Sequence, residues 1–114
     1  MVWVLASTIS NNAGNGLSGE RTTLIVDQGS VVSNNQNGGL VLTNGSSATL
    51  GNATISNNNG AGLWVHGASS VRLGPSAAIT ENIGNGIWLQ DGGWPAGVVM
   101  TGNLLGTTQC PIGY

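Results

Sequence analysis

Four nine-residue segments of this chain align without a gap, and no other feature restricts its possible folds as much. They read ISNNAGNGL from Ile9, VSNNQNGGL from Val32, ISNNNGAGL from Ile55 and ITENIGNGI from Ile79, with successive starts 23, 23 and 24 residues apart. A partial fifth, MTGN, begins at Met100, a further 21 residues along. A period of this length marks a solenoid, in which each supersecondary unit buries its apolar side against the next.

The aligned columns show what each unit is. Ile9, Val32, Ile55 and Ile79 form one apolar column, and Leu17, Leu40, Leu63 and Ile87 form a second. Between the two runs a polar, Asn-rich connection that ends in Gly16, Gly39, Gly62 and Gly86. It is too poor in helix formers to be a helix. Its glycines are expected where a corner demands positive φ. After the second column the pattern alternates, as Leu63-Trp64-Val65-His66 and Ile87-Trp88-Leu89-Gln90, which is a strand with one buried face. A third strand follows as Leu24-Ile25-Val26, Ala48-Thr49-Leu50 and Val71-Arg72-Leu73, and Val2-Trp3-Val4 fits the same slot ahead of the first repeat. Three short strands joined by corners cannot close into local hairpins. Each can pair in parallel with the same strand of the next coil, about 4.8 Å away. The crossover preference of parallel sheets makes the winding right-handed. The expectation is an all-β, single-stranded, right-handed parallel β-helix (a β-solenoid) with about four coils of about 23 residues, forming one domain over residues 1–114.

The units SNNxGxGL and TENxGNGI resemble those of right-handed parallel β-helix proteins, a group that includes pectate lyases, polygalacturonases, mannuronan epimerases and phage tailspikes. The resemblance runs from residue 2 to about residue 106. It implies the coil and not a chemistry. The chain also has fewer coils than the enzymes of that group.

Composition narrows the function. Charged residues make up 5% of the chain, where about 25% is usual. Arg21 and Arg72 are the only basic side chains and the formal net charge is −2. A nucleic-acid binder neutralises several phosphates with clustered Lys or Arg, so no nucleic-acid partner is expected. No apolar run approaches the roughly 18 residues of a spanning helix, so no membrane insertion is expected either. The opening MVWVL lacks the basic start and the length of a secretory signal. An exported form would carry its signal outside this chain and act outside the cell or at its surface. Cys110 is the only cysteine, which excludes an intrachain disulfide.

No cofactor or metal is expected. Residues 14–19 match GxGxxG, but they lie in the repeat and precede no helix. One His and scattered carboxylates make no metal site. Catalysis meets the same shortage. A glycosidase sets two carboxylates roughly 5 to 9.5 Å apart across one bond. Glu20 and His66 share a column yet stand two coils apart, about 10 Å, and Asp27 and Asp91 fall at different corners. Two separated Arg residues are a thin supply for a uronate substrate. No catalytic residue is assigned, and a fragment of a polysaccharide lyase or epimerase is the third alternative.

Three features remain as candidates. Asn12, Asn35, Asn58 and Asn82 form an amide column, with Asn103 as its extension, beside a column of Asn11, Asn34, Asn57 and Glu81. Stacked amides that donate to one neighbouring coil and accept from the other are expected there, as structure and not as a site. Trp64 and Trp88 follow Ser18 and Val41 in an outward column, next to Glu20, Thr43, His66 and Gln90. Val41, Thr43, Trp64, His66, Trp88 and Gln90 together predict a face for an oligosaccharide. The competing expectation is a loop from Asp91 to Gly97 lying over the indoles. Finally, Val2, Trp3 and Val4 form a strand without charge or Pro, an open edge that predicts self-association into a two-fold homo-oligomer. A binding module or a purely structural self-associating β-helix is therefore the expected role.

Overall fold

The computed structural model describes residues 1–90 and the backbone of the strands Val99–Thr101 and Thr108–Gln109. The described residues wind into four complete coils of three strands each. The first holds β1 (Val2–Leu5), β2 (Thr8–Ser10) and β3 (Leu17–Glu20). The second holds β4 (Thr23–Asp27), β5 (Ser30–Ser33) and β6 (Leu40–Thr43), and the third β7 (Ser47–Leu50), β8 (Ala53–Ser56) and β9 (Leu63–Val65). The fourth holds β10 (Ser70–Leu73), β11 (Ala78–Thr80) and β12 (Ile87–Leu89), and β13 (Val99–Thr101) and β14 (Thr108–Gln109) begin a fifth. Each strand pairs in parallel with its equivalent one coil away. Three sheets result: β1-β4-β7-β10, β2-β5-β8-β11-β13 and β3-β6-β9-β12-β14. This is the right-handed parallel β-helix that the repeat predicts.

Register follows the alignment residue for residue. Ile9 stands beside Val32, Val32 beside Ile55, Ile55 beside Ile79 and Ile79 beside Met100. Leu17, Leu40, Leu63 and Ile87 stack likewise. Val32, Ile55, Ile79, Leu40, Leu63 and Ile87 are wholly buried, whereas Ile9 and Leu17 of the first coil are half-buried. An interior coil has apolar neighbours above and below. The first has them on one side only among the described residues, which explains the difference.

The corner after each first column departs from expectation in its chemistry. Positive φ falls on Asn11, Asn34, Asn57 and Glu81, at 54° to 60°, and not on the glycines that close the connection. Asn tolerates this left-handed conformation better than other side chains. Gly16, Gly39 and Gly62 are required for space instead. A Cβ on Gly39 would lie 2.7 Å from the Gly62 carbonyl oxygen and 2.9 Å from Asn58 Nδ2, and would also overlap Ile55. The same three kinds of atom crowd Gly16 and Gly62. Backbone of one coil therefore rests directly on the side chains of the next.

Those side chains form the amide ladder. Asn12 Nδ2 donates to Asn35 Oδ1 (2.9 Å), Asn35 Nδ2 to Asn58 Oδ1 (2.9 Å) and Asn58 Nδ2 to Asn82 Oδ1 (3.0 Å). Each acceptor oxygen also takes the backbone N–H of the Asn in the preceding coil, at 3.0 to 3.2 Å. The neighbouring column does not form such a ladder. The Asn11 and Asn34 side chains donate instead to the hydroxyls of Ser10 and Ser33, one residue back. Its identity is set by backbone conformation and not by stacking.

A second ladder went unforeseen. At the corner between the third and first sheets, the Ser46 hydroxyl donates to the Thr43 carbonyl (2.7 Å) and accepts from Thr22 N–H (3.3 Å). The Ser69 hydroxyl accepts from Ser46 N–H (3.0 Å). Both serines are buried. The Asp91-to-Gly97 loop, Asn103 and Cys110 lie outside the described residues, as does the tail from Leu104 to Tyr114 apart from the backbone of β14.

Candidate functional site

The third sheet carries the candidate face on its outer side. Strand alternation turns Leu63, Val65, Ile87 and Leu89 inward, so Trp64 and Trp88 between them point out. Pairing sets Ser18 beside Val41, Val41 beside Trp64 and Trp64 beside Trp88. Glu20 and Thr43 are register partners. The ladder continues past the strand ends, since His66 N–H reaches the Leu42 carbonyl (3.0 Å) and Gln90 N–H the Val65 carbonyl (2.9 Å). All six residues of the expected ligand face are thus brought onto one surface.

Their environments differ from free exposure. The two indoles stack nearly parallel, with ring centroids 5.0 Å apart and planes inclined by 10°. That distance is close to the coil rise, so consecutive coils impose it. His66 stacks on Trp64 at 4.4 Å and 26°. Trp64 Nε1 donates to Gln90 Oε1 at 2.7 Å. Trp88 Nε1 is buried and finds no acceptor among the described residues. Both indoles, Thr43, His66 and Gln90 are half-buried, while Val41 is 7% exposed. Trp64 and Gln90 therefore hold one another in place, and Val41 forms a floor and not a contact surface of its own.

The second wall of the site is one that sequence reasoning missed. The Asn-rich connections between the second and third sheets stand beside the Trp column and leave a groove of about 360 Å³. Gln36, Asn37 and Asn59 line it from the connections, facing Val41, Trp64 and Trp88. A second groove, about 440 Å³, continues it one coil further, with Ile83 and Asn85 added to the lining. Asn59, Gly60, Ala61 and Trp88 belong to both grooves, so the two form one trough along the solenoid axis. No charged side chain lines either groove among the described residues. Within the aligned segments, Gln36 and Asn59 occupy one column and Asn37 and Gly60 the next. Polar residues at those columns were the available signal, but they read as ordinary loop.

The acidic and basic residues are used elsewhere. Glu20 pairs with Arg21 at 3.5 Å, both side chains largely exposed, and accepts from Asn44 Nδ2 at 3.1 Å. Asp27 Oδ1 accepts the N–H groups of Asn52 and Gln28, each at 2.7 Å. These two bonds, Asn52 first, hold its carboxyl below the ordinary carboxylate range. No group of three His, Cys, Asp or Glu side chains is placed to hold a metal among the described residues.

The edge residues divide between two faces. Trp3 stands beside Ile25 in the outward column of the first sheet and is 60% exposed. Val2 and Val4 point inward, beside Leu24 and Val26. Val4 is buried and Val2 is 46% exposed. What the three share is an edge backbone, since β1 pairs only with β4 among the described residues.

A family model described as a right handed beta helix region matches residues 4–109. No curated protein and no solved structure matches the chain.

Proposed function

From a chain that belongs to the right-handed β-helix family, we propose a non-catalytic module that binds a neutral oligosaccharide in the trough beside Trp64 and Trp88. One observation carries this: a wall of stacked indoles faces a wall of side-chain amides across an uncharged groove. A sugar has apolar C–H surface for indole and hydroxyls for amides, and it needs no counter-charge. An acidic glycan would need cations, whereas Arg21 is paired with Glu20 and Arg72 lies on the first sheet. Open grooves give modest affinity, because little ligand surface is enclosed. Titration of the protein with a panel of neutral oligosaccharides, read by Trp fluorescence, tests it. A saturable shift that Asn37→Ala weakens is expected. A broad neutral panel with no shift overturns the proposal.

A second role rests on the first coil, where β1, β2 and β3 are each paired on one side only among the described residues. Trp3 and Val2 are exposed there, and such an edge is a template for further strands. The proposal is self-association of this polypeptide through that edge. The ladder refines its geometry. Asn12 donates forward to Asn35, so its own Oδ1 is an acceptor at the open end. Two such ends meeting about a two-fold axis would set acceptor against acceptor. A parallel partner whose amide donates would not. Light scattering over a wide concentration range decides it: growth in mass that Trp3→Lys suppresses supports the role, and a constant monomer mass refutes it.

A further inference from the structure

Five Asn-Gly pairs occur in this chain, at Asn15, Asn37, Asn44, Asn59 and Asn85. Such pairs share one spontaneous reaction. The backbone nitrogen of the glycine attacks the Asn side-chain carbonyl carbon, a C–N bond forms, and the side-chain nitrogen leaves as ammonia. Water then opens the resulting cyclic imide to aspartate or isoaspartate. The net change is amide plus water to carboxylate plus ammonium. The attacking N–H must be free of a hydrogen bond and lose its proton, and the amide must be free to turn toward it.

Those requirements separate the five sites. Gly16 N–H is held by the Gly38 carbonyl (3.1 Å), and Asn15 Oδ1 itself accepts from Gly38 N–H (2.8 Å). That same bond occupies the attacking nitrogen next to Asn37. Gly45 N–H donates to the Gly67 carbonyl (2.7 Å), while the Asn44 amide is tethered to Glu20. Asn85 is buried at 4% exposure. Asn59 meets all the requirements together. Its side chain is exposed and makes no hydrogen bond among the described residues, and neither does Gly60 N–H. The aligned Asn37 and Gly84 do use their N–H groups, toward the Gly14 and Gly60 carbonyls. Ring closure at Asn59 therefore breaks no hydrogen bond that the fold has made.

We infer that Asn59-Gly60 is the preferred site of spontaneous deamidation in the folded protein, and that the reaction places a carboxylate in the trough. Asn59 and Gly60 line both grooves, so this would be the first charge in an uncharged lining. The consequence for ligand rests on the oligosaccharide proposal, whereas the reaction itself does not.

Ageing the intact protein in mildly alkaline buffer, with peptide mapping by mass spectrometry at intervals, tests the site. Asn59 should convert ahead of Asn37 and Asn44 by roughly five-fold or more, the factor one retained hydrogen bond commands. In the urea-unfolded chain that preference should disappear. Asn59→Gln, which would need a larger ring, should abolish the early product without unfolding the coil. Leading conversion at Asn37 or Asn44, or the same order folded and unfolded, overturns the inference. If Asn59 leads but neither aged protein nor Asn59→Asp changes the fluorescence titration, the inferred consequence for the ligand fails and the modification site stands.

Discussion

At the scale of the residue, the left-handed corner is the most instructive position. Asn11, Asn34 and Asn57 occupy it, and Glu81 takes the fourth place at φ 56°. A non-Gly residue there stores strain of about 1–3 kcal/mol, least for Asn. Glu81→Asn should therefore stabilise the protein by about 0.5–1 kcal/mol, seen as a higher urea midpoint with an unchanged slope. No gain would mean that Glu81 makes up the strain by other contacts. Gly39→Ala should do the reverse, since its methyl would strike the Gly62 carbonyl and Asn58, and overpacking costs about 1–3 kcal/mol. Asp27 supplies a pH dependence. Its folded pKa is depressed by the Asn52 and Gln28 N–H groups, so its contribution is present above the unfolded carboxylate pKa. It is lost as pH falls through the lower folded value. The midpoint of unfolding should fall in acid, and Asp27→Asn should flatten part of that fall.

At the scale of the element, the ladder and the apolar columns behave as units whose members are unequal. Removing the Asn58 side chain orphans two buried donors of Asn35, its backbone N–H and its Nδ2, while Asn82 Oδ1 keeps the Asn58 backbone N–H. An unsatisfied buried group costs about 1–3 kcal/mol, so Asn58→Ala should lose about 3 kcal/mol or more. Asn12 is exposed and makes its ladder bonds only forward. Asn12→Ala should cost about 1 kcal/mol. Equal losses in denaturant titrations would show that the ladder is not what distinguishes the two. This element was legible early, because Asn at one column of four aligned segments has few other uses. The Ser46–Ser69 ladder was not. Its members lie outside the aligned nine residues, and a Ser between two strands looks like any turn residue.

At the scale of the molecule, stability in a solenoid comes from each coil and its contacts with the next. Among the described residues the second and third coils are covered on both sides, and the first on one. Hydrogen exchange should accordingly be slowest in β5 and β8 and fastest in β1 and β2. Uniform protection would point to unfolding of the whole chain as one unit. The same stacking creates the trough, since the connections stand one above another along the axis just as the strands do. It also decides why Trp64 and Trp88 are half-buried, each indole lying against the other.

What the sequence determined by itself is whatever repeats. A period of 23 or 24 residues and two apolar columns define coils, parallel pairing and register, because in a solenoid a contact between coils is also a comparison between aligned letters. What tertiary structure decided is whatever depends on distance within a coil or between faces. The closing glycines are needed for room and not for φ, which only the approach of Asn58 and Gly62 to Gly39 reveals. The amide wall opposite the indoles exists because a connection folds back beside a strand, and no spacing in the chain encodes how close it comes. Asn59 is chemically equivalent to four other Asn-Gly residues as sequence. The hydrogen bonds made or not made by the following nitrogen set it apart, and those bonds exist only once the coils have stacked.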